Sequence, residues 1–186
     1  MTFDDITGDG RLFAVRYNTE EDNALFVLFN QWNNPEWLFD FFNKNIDDLR
    51  TYFKIADIGK AIYDTIDDSD ILESVIMDIS PDMDLDTLFR PLDNNRTAEA
   101  ILGKEKGRLK QDFHNIHRPS WLRIYALKLS SNIYVVTGGA IKLTKEMKER
   151  KHTLEELVKM EKVRHFLLEN GIVDDAGLVE YINNEQ

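Results

Sequence analysis

Apolar and polar positions along the chain alternate with two different periods, and the change of period marks the predicted elements. Residues 11–17 (RLFAVRY) and 24–29 (ALFVLF) are apolar-rich runs separated by the polar stretch Asn18–Asn23, a pattern that predicts a β-hairpin. Asn34-Pro35-Glu36 then has the order of a helix start: a capping amide, a proline at the first helical position and an acid facing the positive helix end. Leu38, Phe41, Phe42, Leu49, Tyr52 and Phe53 follow at helical spacing and predict a helix over about 35–54, its aromatic stripe a core face. Asp57 is placed to cap a second helix through Ile58, Ala61, Ile62, Thr65 and Ile66. The cluster Asp67-Asp68-Ser69-Asp70 predicts a break before Ile71, Leu72, Val75, Ile76 and Ile79 resume the stripe. That cluster lacks the ligand spacing, central glycine and terminal glutamate of a calcium loop. Pro81 closes the section.

The second half opens with the short apolar stretch 87–92 and a polar, basic region, 96–120, of weak periodicity. Trp121–Leu129 and Ile133–Thr137, joined by Ser130-Ser131-Asn132, carry the strongest strand signal. Gly138-Gly139 predicts a bend or bulge, with 140–143 extending the strand or adding another. Thr153-x-x-Glu156 has the form of a capping box before a helix to about Glu169, which Gly171 would stop, and a last helix is predicted over 175–182. A boundary near 150 divides a main α+β domain, 1–150, from a helical appendage, 151–186.

Composition narrows the function classes. Of 186 residues, 42% are hydrophobic and 11% aromatic, enough for a core despite 31% charged residues. No apolar run approaches the ~20 residues that span a bilayer, and the acidic N-terminus does not read as a secretory signal, so a cytoplasmic address is expected. The absence of cysteine excludes disulfides, thiol nucleophiles and cysteine zinc sites. His114, His117, His152 and His165 are not completed by other ligands into a metal pattern, and no cofactor is implied. There is no phosphate-binding GxxxxGK[ST] loop, and Thr137-Gly138-Gly139-Ala140 lacks the third glycine of a dinucleotide fingerprint.

Charge is unevenly spread. The net of −11 combines 8 Lys/Arg against 22 Asp/Glu in residues 1–100, 11 against 4 in 101–150, and 4 against 8 in 151–186. A locally basic segment in an acidic chain points to a polyanion partner or to pairing between the halves. Lys104, Lys106, Arg108, Lys110, Arg118, Arg123, Lys128, Lys142, Lys145, Lys148 and Arg150 crowd into fifty residues, with Trp121, Tyr125 and Tyr134 between them. Cations hold phosphates, and exposed aromatic faces stack on unpaired bases. Arg123 and Tyr125 are two apart on one strand and share a face.

Leu88-Phe89-Arg90-Pro91-Leu92, the basic region, Trp121-Leu122-Arg123-Ile124-Tyr125-Ala126-Leu127 and Ile133 through Thr144 together resemble the RelE/ParE/HigB toxin superfamily over roughly residues 85–148. The family pattern is an LR(V/I)(F/Y)-type strand, an apolar strand, then a glycine followed by a lysine. The resemblance implies a small twisted, mainly antiparallel sheet packed on two helices in β-α-α-β-β-β order, with the C-terminal helices as an addition. It implies a type II toxin–antitoxin context, an mRNA-cleaving activity on RNA or the ribosome, and a small helix-turn-helix antitoxin as partner. Arg123 matches the family's strand arginine and Lys142 its lysine after the glycine, so Arg123, Tyr125 and Lys142 are the implied catalytic residues. Lys106, Arg108, Lys110, Arg118 and Lys145 are the implied RNA-binding residues. The chain departs from the family in being longer and acidic overall, which favours as alternative a non-catalytic interaction or regulatory protein on the same fold.

Overall fold

Asn23 decides the fate of the second apolar run. In the computed structural model, which describes residues 1–93, 101–107 and 119–185, its side chain accepts the Phe26 amide at 3.0 Å and starts helix α1, Ala24–Trp32. The run expected as the second strand of a hairpin is therefore helical. Ala24, Leu25, Leu28, Phe29 and Trp32 form one buried stripe, and Phe26 and Val27 face out. The hairpin partner of β2 (Leu12–Arg16) is instead β1 (Thr2–Asp5), in the register Phe3↔Val15. Asp5 ties their turn by accepting the amides of Gly8 and Gly10, both at positive φ.

Helix α2 (Pro35–Lys44) begins as expected, with Asn34 accepting the Glu36 and Trp37 amides at 3.1 Å. It stops at Asn45. The expected continuation to 54 is a short α3 (Ile46–Asp48) running into a wide π turn, Leu49–Phe53, closed by Lys54 at φ 59°. Helix α4 (Ile58–Met77) is capped by Asp57 and runs unbroken through the acidic cluster. Asp68 and Ser69, 2% and 0% exposed, lie on its buried face with Thr65, Leu72 and Ile76, while Asp67 and Asp70 face solvent. A helix with polar residues on its inner face looks like an interruption when only apolar positions are counted.

After a 3₁₀ turn at Leu85–Thr87 come β3 (Phe89–Pro91), β4 (Gly103–Gly107), β5 (Leu122–Ser130) and β6 (Ile133–Ile141). The sheet order is β1-β2-β6-β5-β4-β3, with every neighbour antiparallel except β2 and β6. The protein is thus α+β with a mostly antiparallel sheet. Its two N-terminal strands and four later ones bracket the first helices, a longer order than β-α-α-β-β-β.

Side chains alternate across β5. Leu122, Ile124 and Ala126 face the core built with α1, α2 and α4, whereas Tyr125, Leu127 and Leu129 face a second core. The second core is closed by α5 (Lys151–Glu169), through Met160, Val163 and Leu167, and by α6 (Asp175–Glu185), through Leu178. Gly171, at φ 71°, follows α5 as expected. The Thr153–Glu156 capping box is not formed. Thr153 Oγ1 donates to the Met147 and Arg150 carbonyls, and the box lies at Glu146 and Glu149 around a 3₁₀ turn, Met147–Glu149. Among the described residues, no helix is long and apolar enough to cross a membrane.

Candidate functional site

Strand β4 reads GKEKG, with Gly103, Glu105 and Gly107 buried and Lys104 and Lys106 on the other face. Lys106 lies opposite Tyr125 on β5 and opposite Arg90 on β3, so all three project from the sheet face that α5 partly covers. Arg123 stands two residues before Tyr125 and opposite Ala140 on β6, and Lys142 follows two residues beyond Ala140. These side chains line one cleft of about 1090 Å³, whose rim adds Lys145 and Lys148 from the loop after β6, and Lys104 and Arg164 beside α5. Among the described residues, eight cations thus surround it against the carboxylates of Asp93, Glu146 and Glu161, with Leu88, Leu92, Leu102, Met147 and Leu157 among its apolar walls.

Backbone carbonyls aim the inner cations. Lys106 Nζ donates to Leu92 O at 3.1 Å, and Arg123 Nη1 donates to Ser120 O and Leu122 O at 2.7 and 2.6 Å. Lys142 Nζ donates to Thr144 O at 2.8 Å and to Lys145 O. A carbonyl orients a cation without cancelling its formal charge. Partial burial pushes the Lys142 ammonium below the usual lysine pKa, and the nearby Arg123 and Lys106 charges add to this. Lys104 and Arg164 flank Glu161, so the wall beside α5 is partly neutralised.

The structure brings together five of the implied site residues, Lys106, Arg123, Tyr125, Lys142 and Lys145, with Lys104 and Lys148 of the wider basic cluster. Arg108, Lys110 and Arg118, with His114 and His117, lie outside the described residues. Lys128 and Arg150 are engaged elsewhere. Lys128 pairs with Asp86 at 2.8 Å, and Arg150 clamps Asp48 at 2.7 and 2.5 Å. Arg90 and Arg164 were missed, one preceding the basic segment and the other on the predicted appendage. Arg90 lies in the short apolar stretch 87–92, where no role was assigned to it.

The interleaved aromatics are a correction. Trp121, Tyr125 and Tyr134 are 0%, 0% and 1% exposed, so their faces do not offer a stacking platform. Trp121 packs edge-on against Phe42 and Phe53, and Tyr134 stacks on Phe89 at 4.5 Å, both on the far side of the sheet. Tyr125 lies in the floor of the cleft. Its hydroxyl has no hydrogen-bond partner among the described residues, and burial pushes its pKa well up.

The glycine pair sets this floor. Tyr125 pairs with Gly138 but Ala126 pairs with Val136, leaving Thr137 as the extra residue of a bulge. Tyr17 Oη donates to Thr137 O at 2.6 Å, and Thr137 Oγ1 donates to Tyr125 O at 3.2 Å. Among the described residues, no group of three or more His, Asp or Glu side chains could hold a metal ion. Chemically the arrangement is a preorganised cationic cleft over a buried phenol. No family model, curated protein or solved structure matches the chain.

Proposed function

We propose that the cleft binds the sugar–phosphate backbone of RNA and that the protein is a toxin-like component of a toxin–antitoxin system that cleaves messages. The observation that carries this reading is the convergence, among the described residues, of eight Lys and Arg side chains from three strands, the segment after β6 and a helix on one cleft in a chain of net charge −11. Local cation density of this kind in an acidic chain fits a polyanion ligand. The RelE/ParE/HigB resemblance supplies the reaction class. In that reaction a ribose 2′-oxygen attacks the adjacent phosphorus and the P–O5′ bond breaks. Arg123 and Lys106 offset the charge that builds on the phosphoryl oxygens. Lys142, whose ammonium is easier to deprotonate than an ordinary lysine's, takes the 2′-hydroxyl proton, and Tyr125 gives its proton to the leaving 5′-oxygen.

The test is induced expression in a bacterium lacking any antitoxin, following growth and message integrity. Arrest with cleaved messages, abolished by Arg123→Ala combined with Lys142→Ala in a protein that still folds, is the expected result. Normal growth with intact messages would overturn the cleavage reading.

A second reading, an interaction or regulatory protein that binds without cleaving, is favoured by one observation. Neither described histidine reaches the cleft: His152 Nε2 bonds the Ile141 carbonyl, and His165 pairs with Glu169. Co-purification with a small helix-turn-helix partner and RNA binding without cleavage would select it.

A further inference from the structure

Glu156 has no part in the reaction above, yet it is a buried acid whose charge Tyr125 feels. It sits on α5, 6% exposed, with its carboxylate lying against Gly138, where a Cβ would collide with Oε2. Gly138 is also the cross-strand partner of Tyr125. The bare Cα of Gly138 is therefore what lets the carboxylate reach the sheet beside the phenol. Glu156 Oε1 accepts from Lys159 Nζ at 2.7 Å, and the nearby Gly139 amide favours the ionised carboxylate. Glu156 Oε2 and Tyr125 Oη are both buried, and neither has a hydrogen-bond partner among the described residues. Buried polar groups are nearly always paired, and these two are complementary, one an acceptor and the other a donor.

The groups facing this pair come from four elements. Helix α5 brings Glu155 and Lys159, β5 brings Arg123 beside Tyr125, the segment after β2 brings Tyr17, and β6 brings only the backbone of Gly138 and Gly139. Tyr125 thus feels Arg123 and Glu156 with opposite sign. Burial holds Glu156 above the usual carboxyl range, against the pull of Lys159 and the Gly139 amide.

A phenol has one proton to give. With Glu156 ionised, that proton is drawn toward the carboxylate, and the phenol turns lone pairs to the cleft. With Glu156 protonated, the carboxylic acid donates to the phenol oxygen, directly or through one water, and the phenol proton is released toward an anion beside Arg123. We propose that anion binding in the cleft is coupled to the uptake of one proton by Glu156, relayed through the hydroxyl of Tyr125. The coupling rests on the cleft's being an anion site. It adds no covalent step: one solvent proton is taken up per bound anion and returned on release. Affinity therefore rises as pH falls, because the neutral acid removes a negative charge and supplies a donor.

The probe is a fluorophore-labelled single-stranded oligodeoxynucleotide, which lacks the 2′-hydroxyl and cannot be cleaved by its attack. Binding is measured by anisotropy at fixed salt from about pH 5 to about pH 8, a range in which histidines also titrate. Wild-type affinity is expected to fall toward tenfold per pH unit above the Glu156 pKa, the slope of one linked proton. Glu156→Gln, whose amide always donates, is expected to bind at high pH as tightly as wild type does at low pH and to lose the Glu156 component. Tyr125→Phe is expected to lose the same component and bind more weakly. If either variant fails to fold, proton uptake by the wild type, from binding heats in buffers of different ionisation enthalpy, decides together with the carboxylic-acid carbonyl stretch on binding. Uptake near one proton with growth of that band supports the coupling, and uptake of none overturns it. Wild-type binding whose pH dependence survives unchanged in Glu156→Gln overturns the coupling alone. No binding at any pH overturns the anion site itself, and the coupling with it.

Discussion

Two adjacent glycines meet different obstacles, and their substitutions should therefore differ. A Cβ on Gly139 would lie 2.5 Å from the Arg123 carbonyl oxygen and 2.8 Å from Leu28 Cδ1. The leucine can change rotamer, but the carbonyl cannot retreat without opening the β5–β6 pairing that carries Arg123. Gly139→Ala is expected to cost about 2–3 kcal/mol in denaturant unfolding, the upper part of the overpacking range. Gly138→Ala meets the end of the Glu156 side chain and also places an alanine at φ 159°, which L residues rarely adopt, so it loses stability by backbone strain as well as by displacing Glu156. A Gly139→Ala loss below about 1 kcal/mol would show that the Arg123 carbonyl gives way. The sequence marked this pair as a bend or bulge. It did not show that Glu156 fills the space. A glutamate three residues after a threonine reads as a cap whenever burial is unknown, and here the helix starts two residues earlier.

At the scale of elements, the sheet and the first helices are joined by a hydrogen bond that apolar patterning does not anticipate. Trp121 Nε1 donates to Thr65 Oγ1 at 3.0 Å, and Thr65 Oγ1 in turn donates to the Ala61 carbonyl at 2.7 Å. Both residues are 0% exposed. Thr65→Val preserves shape and removes the acceptor, leaving the indole donor short of this partner. A loss of about 1–3 kcal/mol is expected by chemical denaturation, the cost of a buried polar group deprived of its bond. A change within a few tenths would show that the indole is satisfied otherwise. The same helix explains why part of the fold was illegible. Thr65, Asp68 and Ser69 occupy inward positions that a hydrophobic count scores as a gap. Strand β4 hides for the converse reason: its inward positions are Gly103, Glu105 and Gly107, and a Cβ on Gly107 would press on the Phe89 ring at 3.1 Å. A strand whose core face is glycine and a buried acid has no apolar alternation to find, yet it delivers Lys104 and Lys106 to the cleft. The β5–β6 hairpin was legible because its β-branched and aromatic residues are buried on both faces.

For the whole molecule, the proposed polyanion site has to work in an acidic protein, and the charge distribution gives separable expectations. Two cations of the basic segment pair with the acidic front half, Lys128 with Asp86 and Arg150 with Asp48, and among the described residues eight cations and three carboxylates line the cleft. Close contacts and the distant field should respond to salt in opposite ways. Each phosphate neutralised on a single strand contributes about −0.7 to the slope of log affinity against log salt. Arg123→Ala with Lys106→Ala should therefore flatten the slope for the oligodeoxynucleotide by about 1.4, if each contacts one phosphate. The surrounding charge acts on approach instead. At 0.1 M salt the Debye length is about 10 Å, so at lower salt the net −11 repels the strand well before it reaches the cleft. Stopped-flow association is accordingly expected to stay level or quicken as salt rises from about 10 mM to about 100 mM, while dissociation accelerates throughout. An association rate that falls steeply over that range, as for a uniformly basic binding surface, would mean that the cleft steers the ligand from a distance and that the acidic remainder does not govern encounter.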